Sequence, residues 1–441
     1  MTAKMGGPVP LSHIVIAGGG LAGLSCAREL EDGFTLLEAE DRVGGLARTE
    51  VIDGFSFDFT GHWFHARDPR VRQLVSERWL RGNLLEVERR ALIHSEGVWT
   101  EFPYQHHLYG LSARTIADCV IGFVHATAGE QGRALRERPL RNAAEFIQRH
   151  LGDGFARHFM FPYNRKLFTV PCEDLSPEWG GRFIPQPTLV EVVRGALGLA
   201  QGGAGYNATF WYPRTGGIEA LPRGIAADVR GGELRLRTRI AAIDLDSRRV
   251  RLENGEQIRY AKLIFTLPLS TVAHLVEGPP RVVEAARKLR SVSVTVVEIG
   301  ADDVGGRRFH WAYFPEDRFR FYRVGSPSEV NPALAPAGMR SFAVEFAHCG
   351  PVEARPLVEH ALQALHELGL LDRSRVRVAR SRTIPVAYVL FDHDHAAARA
   401  QVIEHLESRD VLVAGRYGKW EYSSMEDAIV SGREVARALA A

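Results

Sequence analysis

Short apolar runs and segments of helical periodicity alternate near the start of the chain. Residues 14–17 form an apolar run of the kind found in buried strands, residues 21–30 have helical character, and residues 34–37 form a second apolar run. The pattern predicts a strand–helix–strand unit, which is the elementary piece of a sheet with helices on its faces.

Further along, the pattern predicts a helix-rich middle between two regions of strands. Residues 112–200 contain candidate helices at 113–124, 142–150 and 189–199. Strand patterns return over residues 205–270, where Asn254-Gly255 follows an alternating segment and predicts a hairpin. Strands dominate again over 291–389 with one helix at about 356–368, and the last segment, 411–441, predicts a strand, a glycine-containing turn and a closing helix.

The turn between the first strand and the first helix carries a glycine pattern. Gly18, Gly20 and Gly23 form G-x-G-x-x-G, and Glu38 closes the second strand. The first glycine permits a tight turn, the second lets the backbone approach a pyrophosphate, and the third lets the helix pack closely on the sheet. The helix N-terminus then faces the phosphates, and Glu38 is placed to accept hydrogen bonds from a ribose. These residues predict a dinucleotide-binding domain.

A second glycine pair follows and favours a flavin over a nicotinamide cofactor. Residues 38–45 resemble the E-x-x-x-R-x-G-G extension of flavoproteins with two dinucleotide-binding domains. Gly44 and Gly45 let the chain pass close to the cofactor, and Arg42 is suited to its pyrophosphate. The sequence therefore predicts FAD. We also assign two apolar residues to the cofactor site, Leu46 and Ile240.

Together these segments predict an α/β fold with α+β insertions, in which a Rossmann-like FAD-binding domain is discontinuous. We assign residues 1–95, 205–270 and 400–441 to the FAD-binding domain. Residues 96–204 form a mainly helical substrate or lid domain, and residues 271–399 form a substrate domain built on an antiparallel sheet. A chain of 441 residues is long enough for two or three domains.

Composition and charge narrow the class of protein. With 45% hydrophobic and 24% charged residues, the composition is that of a soluble globular protein. The 55 basic and 53 acidic residues nearly balance, so no broad field for nucleic acid or a membrane surface is expected. The four cysteines have no metal-ligand spacing, and no apolar run reaches the roughly 18 residues of a membrane span. We expect a cytoplasmic protein that binds no metal, nucleic acid or membrane, and that can be oligomeric.

Seven segments spread along the chain resemble UDP-galactopyranose mutase, especially its eukaryotic-type branch, within the wider FAD superfamily of amine and protoporphyrinogen oxidases. Gly61-His62 resembles a G-G-H loop that passes the flavin, although Thr60 replaces the first glycine. The other segments are Phe102–Gln105 with Tyr163-Asn164, Trp179–Arg182, Tyr206–Phe210, Tyr313–Asp317 with Phe321–Arg323, Tyr388, and Gly415–Tyr422.

The resemblance implies roles for these residues, although each arginine or tyrosine taken singly is more often a surface or packing residue. It implies that two arginines clamp a nucleoside diphosphate, which suits the bidentate fork of arginine. The implied catalytic residues are His62, Arg182 and Arg323. The implied flavin contacts, besides the glycines above, are Gly61, His62, Gly415 and Arg416. The implied substrate-binding residues are Tyr104, Gln105, Tyr163, Asn164, Arg182, Asn207, Tyr313, Arg323, Tyr388 and Tyr422.

The reaction implied by the resemblance is the interconversion of pyranose and furanose forms of a nucleotide sugar, such as UDP-galactose. FAD is first reduced, with NAD(P)H as the expected reductant, and its N5 then attacks the anomeric carbon and expels the nucleoside diphosphate. Two alternatives remain open, and the first of them shares the N-terminal motifs. One is an FAD-dependent oxidase or desaturase of the amine or protoporphyrinogen type, and the other is a non-catalytic carrier like the GDP-dissociation inhibitors.

Overall fold

The computed structural model describes residues 11–180, 184–199 and 208–440. Within these ranges the strands are β1 Leu11–Ala17, β2 Phe34–Leu37, β3 Thr49–Ile52, β4 Phe55–Asp58, β5 Leu85–Glu88, β6 Ala91–Ser95, β7 Val98–Glu101, β8 Thr209–Tyr212, β9 Glu233–Arg235, β10 Ile240–Asp244, β11 Arg249–Leu252, β12 Gln257–Phe265, β13 Val276–Glu277, β14 Ser291–Asp302, β15 Trp311–Tyr313, β16 Arg323–Gly325, β17 Met339–His348, β18 Val376–Val389 and β19 Val411–Val413.

The α-helices of the same ranges are α1 Leu21–Leu30, α2 Pro69–Gln73, α3 Ala113–Ala128, α4 Glu130–Arg136, α5 Ala143–Phe155, α6 Phe161–Phe168, α7 Leu189–Ala196, α8 Ala220–Asp228, α9 Val272–Leu275, α10 Pro280–Lys288, α11 Pro327–Val330, α12 Ala354–Glu367, α13 His395–Glu407, α14 Gly415–Gly418 and α15 Met425–Ala440. The mixed α/β class predicted from the sequence is confirmed.

The first sheet forms the cofactor side of the molecule. Its strand order is β13-β10-β11-β12-β1-β2-β9, and β19 also pairs with β12. The strands around β1 run parallel to it, as the predicted strand–helix–strand unit requires. Val15 and Ile16 of β1 are fully buried because helices cover both faces of a parallel sheet. The predicted strand over 34–37 and helix over 21–30 are confirmed to the residue.

The second sheet forms the opposite side and is almost entirely antiparallel. Its order is β18-β14-β17-β16-β15-β6-β7, in which only the β15–β6 pair is parallel. Register places Tyr313 of β15 opposite Arg323 of β16, and Arg323 opposite Glu345 of β17. Residues directly opposite each other on neighbouring strands point to the same face. The sheet therefore sets these three side chains in a row.

A helical layer covers one end of the second sheet. Helices α3, α5 and α6 enclose an apolar core in which Cys119, Ile147 and Phe155 are completely buried. Ser112 and Asn142 cap α3 and α5 by accepting hydrogen bonds from backbone N–H groups in the first turn of each helix. The predicted helix over 113–124 runs on to 128, and that over 189–199 ends at 196. The predicted helix over 142–150 is broken at Gly152, whose φ of 81° is not helical, and the last residues of α5 follow this break.

The domain boundaries suggested by the sequence remain a prediction, and the sheets cross them in two places. Strand β6 belongs to the second sheet, so the predicted boundary at residue 95 falls within the β6–β7 hairpin. Strand β13 belongs to the first sheet, although residues 271–399 were assigned to the substrate domain. An apolar run predicts that a strand is buried but carries no information about which sheet it joins. Among the described residues, no helix combines the length and apolar character needed to cross a bilayer.

Candidate active site

The glycine-rich turn after β1 leaves no room for side chains. A Cβ on Gly23 would lie 2.0 Å from the carbonyl oxygen of Gly18, so only glycine lets α1 approach the end of β1. Gly18 has a φ of 105°, which disfavours other residues. Helix α1 begins after Gly20 with no side-chain cap and no acidic residue in its first turn. Its N-terminus is therefore suited to a phosphate group.

Glu38 lies directly beside this turn. Its carboxylate accepts hydrogen bonds from the backbone N–H groups of Gly19, at 2.8 Å, and Glu40, at 2.9 Å. The side chain is buried, and the guanidinium of Arg48 lies 3.7 Å away. The backbone N–H of Thr238 donates to the carbonyl oxygen of Glu38 at 2.8 Å, which brings the start of β10, and with it Ile240, to the same end of the sheet.

The second glycine pair packs against the first turn. The N–H of Gly44 donates to the carbonyl oxygen of Gly19 at 2.8 Å, and a Cβ on Gly45 would lie 3.3 Å from the Cα of Gly20. Arg42 lies 3.7 Å from the carboxylates of both Glu50 and Glu219, and its buried Nε has no hydrogen-bond partner among the described residues. The two glycine segments thus form one cradle with an arginine at its edge.

The C-terminal segment completes the cradle. Gly415 has a φ of 77°, and a Cβ there would lie 2.6 Å from the Cβ of Ala22 in α1. Arg416 donates hydrogen bonds to the carbonyl oxygens of Ser423 and Ala387, each at 3.1 Å. Its guanidinium also lies 4.7 Å from the centre of the Tyr422 ring. Arg416 therefore joins the cofactor side of the molecule to β18 of the second sheet.

The loop after β4 carries the predicted histidine. The nearest atoms to a Cβ on Gly61 would be ring atoms of Trp63 at 3.6 Å, so the protein itself does not exclude a side chain there. The hydroxyl of Thr60 lies 3.1 Å from Nδ1 of His62. Burial, reinforced by the guanidinium groups of Arg416 and Arg323, lowers the pKa of His62 to about 4. The imidazole is consequently neutral at physiological pH.

Arg323 lies at the centre of the candidate substrate site. Its Nε and Nη2 donate to the carboxylate of Glu345 at 3.1 Å and 2.8 Å, and Glu345 is 1% exposed. Burial opposes the charge of Arg323, but Glu345 and three neighbouring tyrosines outweigh burial and hold its pKa well above the usual value. The hydroxyl of Tyr322 also donates to Glu345. Arg323 is thus a fixed, permanently charged group.

Tyrosine rings surround this arginine. The Tyr163 ring meets the Tyr313 ring edge-on at 5.4 Å, and the Tyr388 and Tyr422 rings are stacked at 6.1 Å. Burial raises the pKa of Tyr163, Tyr313 and Tyr388, the last to about 12, so these hydroxyls remain protonated. A protonated hydroxyl donates a hydrogen bond to an anion. The structure therefore brings together five of the predicted residues: Tyr163, Tyr313, Arg323, Tyr388 and Tyr422.

Three other predicted substrate residues are buried inside the helical layer. Tyr104 is completely buried and stacks on Phe159 at 4.9 Å. The amide of Gln105 donates to the carbonyl oxygen of Pro185, and the amide of Asn164 donates to that of Met160. In this arrangement the side chains of Tyr104, Gln105 and Asn164 are used in packing and offer almost no surface to a ligand.

Two further predictions, Arg182 and Asn207, lie outside the described residues. The second half of the expected arginine clamp therefore remains a prediction. Leu46 packs at the edge of the helical core, and Ile240 is buried in the core beneath the first sheet.

The structure also reveals three site residues that motif reasoning missed. Arg48 pairs with Glu38, Glu345 holds Arg323, and the guanidinium of Arg89 lies 5.1 Å from the Phe102 ring and 6.0 Å from the Trp311 ring. Glu345 carried a signal in the sequence, because it is an acid within an otherwise apolar run over residues 342–347. Among the residues that the structure describes, no group of three potential metal ligands is found.

The cradle fits FAD by its own geometry. A Cβ at Gly18, Gly23 or Gly44 would meet protein atoms at 2.9 Å or closer, and the unpartnered Nε atoms of Arg42 and Arg48 lie along the edge of the cradle. When bound, the adenosine side of FAD would meet Glu38, its pyrophosphate would meet the N-terminus of α1, and its ring would approach the His62 loop. These residues could hold FAD.

Comparison with known proteins agrees with this geometry. The solved structure of a reduced UDP-galactopyranose mutase superposes with a TM-score of 0.89 at 25% identity, covering 98% of this chain and 94% of the other. A putrescine oxidase structure gives a TM-score of 0.65 at 14% identity, covering 98% of this chain and all of the other, and shows the fold alone.

Sequence comparison extends to oxidases. Coproporphyrinogen III oxidase of Mycobacterium bovis is 27% identical over 328 residues, covering 68% of each chain. The family described as flavin containing amine oxidoreductase matches residues 21–440. Because this match spans nearly the whole chain and the fold and cofactor cradle agree with it, the chain belongs to the flavin-containing amine oxidoreductase family.

Proposed function

We propose that the protein is an FAD-dependent nucleotide-sugar mutase that interconverts pyranose and furanose forms of UDP-galactose or a related sugar. One observation carries the proposal. Arg323, fixed by Glu345, is surrounded by protonated tyrosine hydroxyls on the face of the second sheet that approaches His62. Such a group of donors suits a diphosphate, which needs several hydrogen bonds and positive charge at once.

The orientation of Arg323 supports a role in binding a diphosphate. Its Nε and Nη2 are bonded to Glu345, while Nη1 has no hydrogen-bond partner among the described residues. The hydrogen bonds to Glu345 fix the plane of the guanidinium, so its remaining donors lose little freedom when a phosphate binds. Arg416 and Arg89 add positive charge nearby, whereas His62 is neutral. The site as a whole therefore favours an anion.

The mutase reaction requires that the nucleoside diphosphate leave the sugar and later return to it. FAD, when bound in its reduced form, supplies the nucleophilic chemistry of this exchange, and NAD(P)H is the reductant that we propose. The chain's own residues hold the diphosphate with Arg323 and the tyrosines, and Arg182 is proposed as the second arginine of the clamp. A firm hold keeps the leaving group in place for recombination.

The test uses dithionite-reduced holoenzyme with UDP-galactopyranose or UDP-galactofuranose under anaerobic conditions. We expect interconversion of the two sugars without net oxidation of the flavin. Chromatography of the products measures the interconversion, and the flavin absorbance measures its oxidation state. Absence of isomerisation of both sugars, together with oxidation of another substrate, would refute the proposal.

The clamp is tested separately with two variants. Arg323→Ala is expected to weaken UDP binding at least tenfold, since a charged hydrogen bond contributes about 1.5–3 kcal/mol, while FAD remains bound. Arg320→Ala is the matched control, because Arg320 lies three residues earlier and its side chain is exposed. Titration of UDP against the flavin absorbance measures both affinities, and equal affinities would contradict the clamp.

A second function is favoured by the sequence comparison with coproporphyrinogen III oxidase. A porphyrinogen with carboxylate side chains is also an anion, so the charge of the site does not exclude it. An amine substrate fits less well, because a cation would meet Arg323, Arg416 and Arg89. Oxygen consumption with coproporphyrinogen III separates the two functions, since the proposed mutase should consume none above its background rate.

A further inference from the structure

We propose that Lys166 is a positioning residue of the substrate site. Its ammonium joins the two ends of the segment that connects β15 to β16, the strands that carry Tyr313 and Arg323. The same contact fixes this hairpin to α6. This inference deepens the proposed function and rests on it for its consequence for nucleotide binding. Lysine is rare in this chain, at five of the 55 basic positions, so its presence at 166 calls for a physical reason.

The contacts of Lys166 supply that reason. Its Nζ donates to the carbonyl oxygens of Phe314 at 2.7 Å, Glu316 at 2.6 Å and Phe321 at 3.2 Å. An ammonium has three N–H donors that radiate from a single atom, and all three are used here. Burial lowers the pKa of Lys166 to about 7, so this three-donor form predominates below pH 7. A guanidinium is planar and carries its donors along a fork, so it cannot bring three of them to one point.

These three carbonyl groups lie at defined places in the hairpin. Phe314 follows Tyr313 at the end of β15, and Phe321 lies two residues before Arg323 at the start of β16. Tyr313 and Arg323 pair directly across the two strands. The ammonium thus bridges the two sides of the connecting segment immediately beyond the two functional residues.

The same contact determines how the hairpin meets α6. Tyr163 lies one turn before Lys166 on this helix, and its ring touches the Tyr313 ring edge-on at 5.4 Å. Three residues along a helix place two side chains on the same face. By holding the hairpin against that face, Lys166 sets the distance between Tyr163 and the Tyr313–Arg323 pair.

A neighbouring contact joins the same two elements but is exposed. Arg165 forms an ion pair with Asp317 at 2.9 Å, and both side chains are more than half exposed. Exposed ion pairs contribute little because water screens them. Arg165→Ala is therefore a matched control, since it removes a contact between the same helix and the same hairpin.

The experiment compares Lys166→Arg, Lys166→Met and Arg165→Ala as holoenzymes. We expect both Lys166 variants to retain FAD but to bind UDP at least tenfold more weakly, and Arg165→Ala to bind UDP like the wild type. Hydrogen exchange measured by mass spectrometry should be faster over residues 314–322 in the Lys166 variants only, because the amides of Phe314 and Phe319 are hydrogen-bonded within this segment.

The outcomes separate the two proposals. If the wild type does not bind UDP, the proposed function fails, while faster exchange over residues 314–322 in Lys166→Arg still supports the positioning role. If the wild type binds UDP and Lys166→Arg binds it equally with unchanged exchange, the positioning role is overturned and the mutase proposal stands.

A measurement on the wild type covers the case in which the Lys166 variants do not fold. Reductive methylation with formaldehyde and a borane, carried out at pH 6, should leave Lys166 unmodified, because below its pKa of about 7 its ammonium is held by three carbonyl oxygens. Lys262 and Lys288 have half-exposed side chains paired with Asp410 and Asp394 and should be dimethylated. Methylation of Lys166 at the rate of Lys288, read from peptide masses, would overturn the inference.

Discussion

His62 shows how the environment decides the chemistry of a single side chain. The sequence placed this residue near a flavin but could not give its charge, which depends on burial and on Arg416 and Arg323 from distant segments. Both effects act in the same direction and disfavour the imidazolium form. A neutral ring can donate and accept hydrogen bonds without adding charge beside the proposed diphosphate.

A pH titration tests this state. Folding lowers the pKa of His62 from 6.5 to about 4. As pH falls, the unfolded chain therefore protonates this imidazole near pH 6.5, whereas the folded protein protonates it only near pH 4. His62 therefore lowers the free energy of unfolding as pH falls through this window, by at most about 3 kcal/mol at 1.4 kcal/mol per pKa unit.

We expect His62→Gln to lose less stability than the wild type between pH 6.5 and 4.5 in urea denaturation. His393→Gln is the control, because its ring is exposed and bonded to the carbonyl oxygen of Glu173. Identical pH dependence in wild type and His62→Gln would show that the folded protein protonates His62 normally.

At the residue scale, sequence motifs predicted the residues that the local backbone geometry requires. They did not predict the residues whose role depends on a side-chain partner from a distant segment. Gly18 has a positive φ, and Gly23 and Gly44 are required by close approaches to Gly18 and Ala47 within one local unit, which a spacing pattern can encode. Glu345 acts through the register of two strands on Arg323, which lies 22 residues earlier in sequence, and no local pattern encodes register. The buried positions of Tyr104 and Gln105 likewise follow from packing against α5 and residues near Pro185.

At the scale of elements, the close packing of β1 and α1 in the first glycine turn requires glycine at position 23. A Cβ on Gly23 would lie 2.0 Å from a backbone oxygen, and this atom cannot move without displacing β1 or α1. The helix would have to shift away from the sheet, and Gly415, which packs on Ala22, would move with it.

We expect Gly23→Ala to lower the free energy of unfolding by several kcal/mol and to abolish FAD retention during purification. Strain of this kind costs about 1–3 kcal/mol or more in well-packed interiors. Gly278→Ala is the control, because a Cβ there meets no atom closer than 3.6 Å and the backbone is not left-handed. Retention of FAD by Gly23→Ala at the wild-type level would contradict the close approach.

Element type was predictable from sequence, whereas element length and partnership were less so. The hairpin predicted at Asn254-Gly255 joins β11 and β12 as expected, with a φ of 87° at Gly255. Helix α3 runs past its predicted end, since tertiary packing can extend a helix beyond its periodic segment, whereas Gly152 breaks α5 close to the end predicted for it. Strand β6 pairs in the second sheet and β13 in the first, and burial alone does not choose such a partner.

At the scale of the whole molecule, a partly buried charge network joins the β3–β4 hairpin to the second sheet. Glu50 of β3 pairs with Arg380 and Arg382 of β18, and both arginines also pair with Glu298, which is completely buried in β14. Arg42 at the edge of the cofactor cradle lies 3.7 Å from the same Glu50. This network links the predicted pyrophosphate arginine to the sheet that carries the substrate site.

The charge of Glu50 is what holds this network together. Hydrogen bonds from Arg382, then from Arg380, lower the pKa of Glu50 to about 2 in spite of burial, which acts in the opposite direction. Because the folded pKa lies below the ordinary 4.5, the stabilisation is fully present above pH 4.5 and disappears as pH falls toward 2.

Glu50→Gln keeps the shape of the side chain and removes its charge, which leaves Arg380 and Arg382 with Glu298 as their remaining carboxylate among the described residues. We expect the variant to lose about 1–3 kcal/mol of unfolding free energy at pH 7, after allowance for solvent screening of the partly exposed carboxylate. The difference between variant and wild type should shrink below pH 4.5. Glu253→Gln is the control, because Glu253 is mostly exposed and 3.7 Å from Arg239. Urea denaturation at pH 7 and pH 3.5 measures both proteins, and a difference that is absent at pH 7, or that grows as pH falls, would exclude Glu50 as the charged link between the cofactor cradle and the substrate sheet.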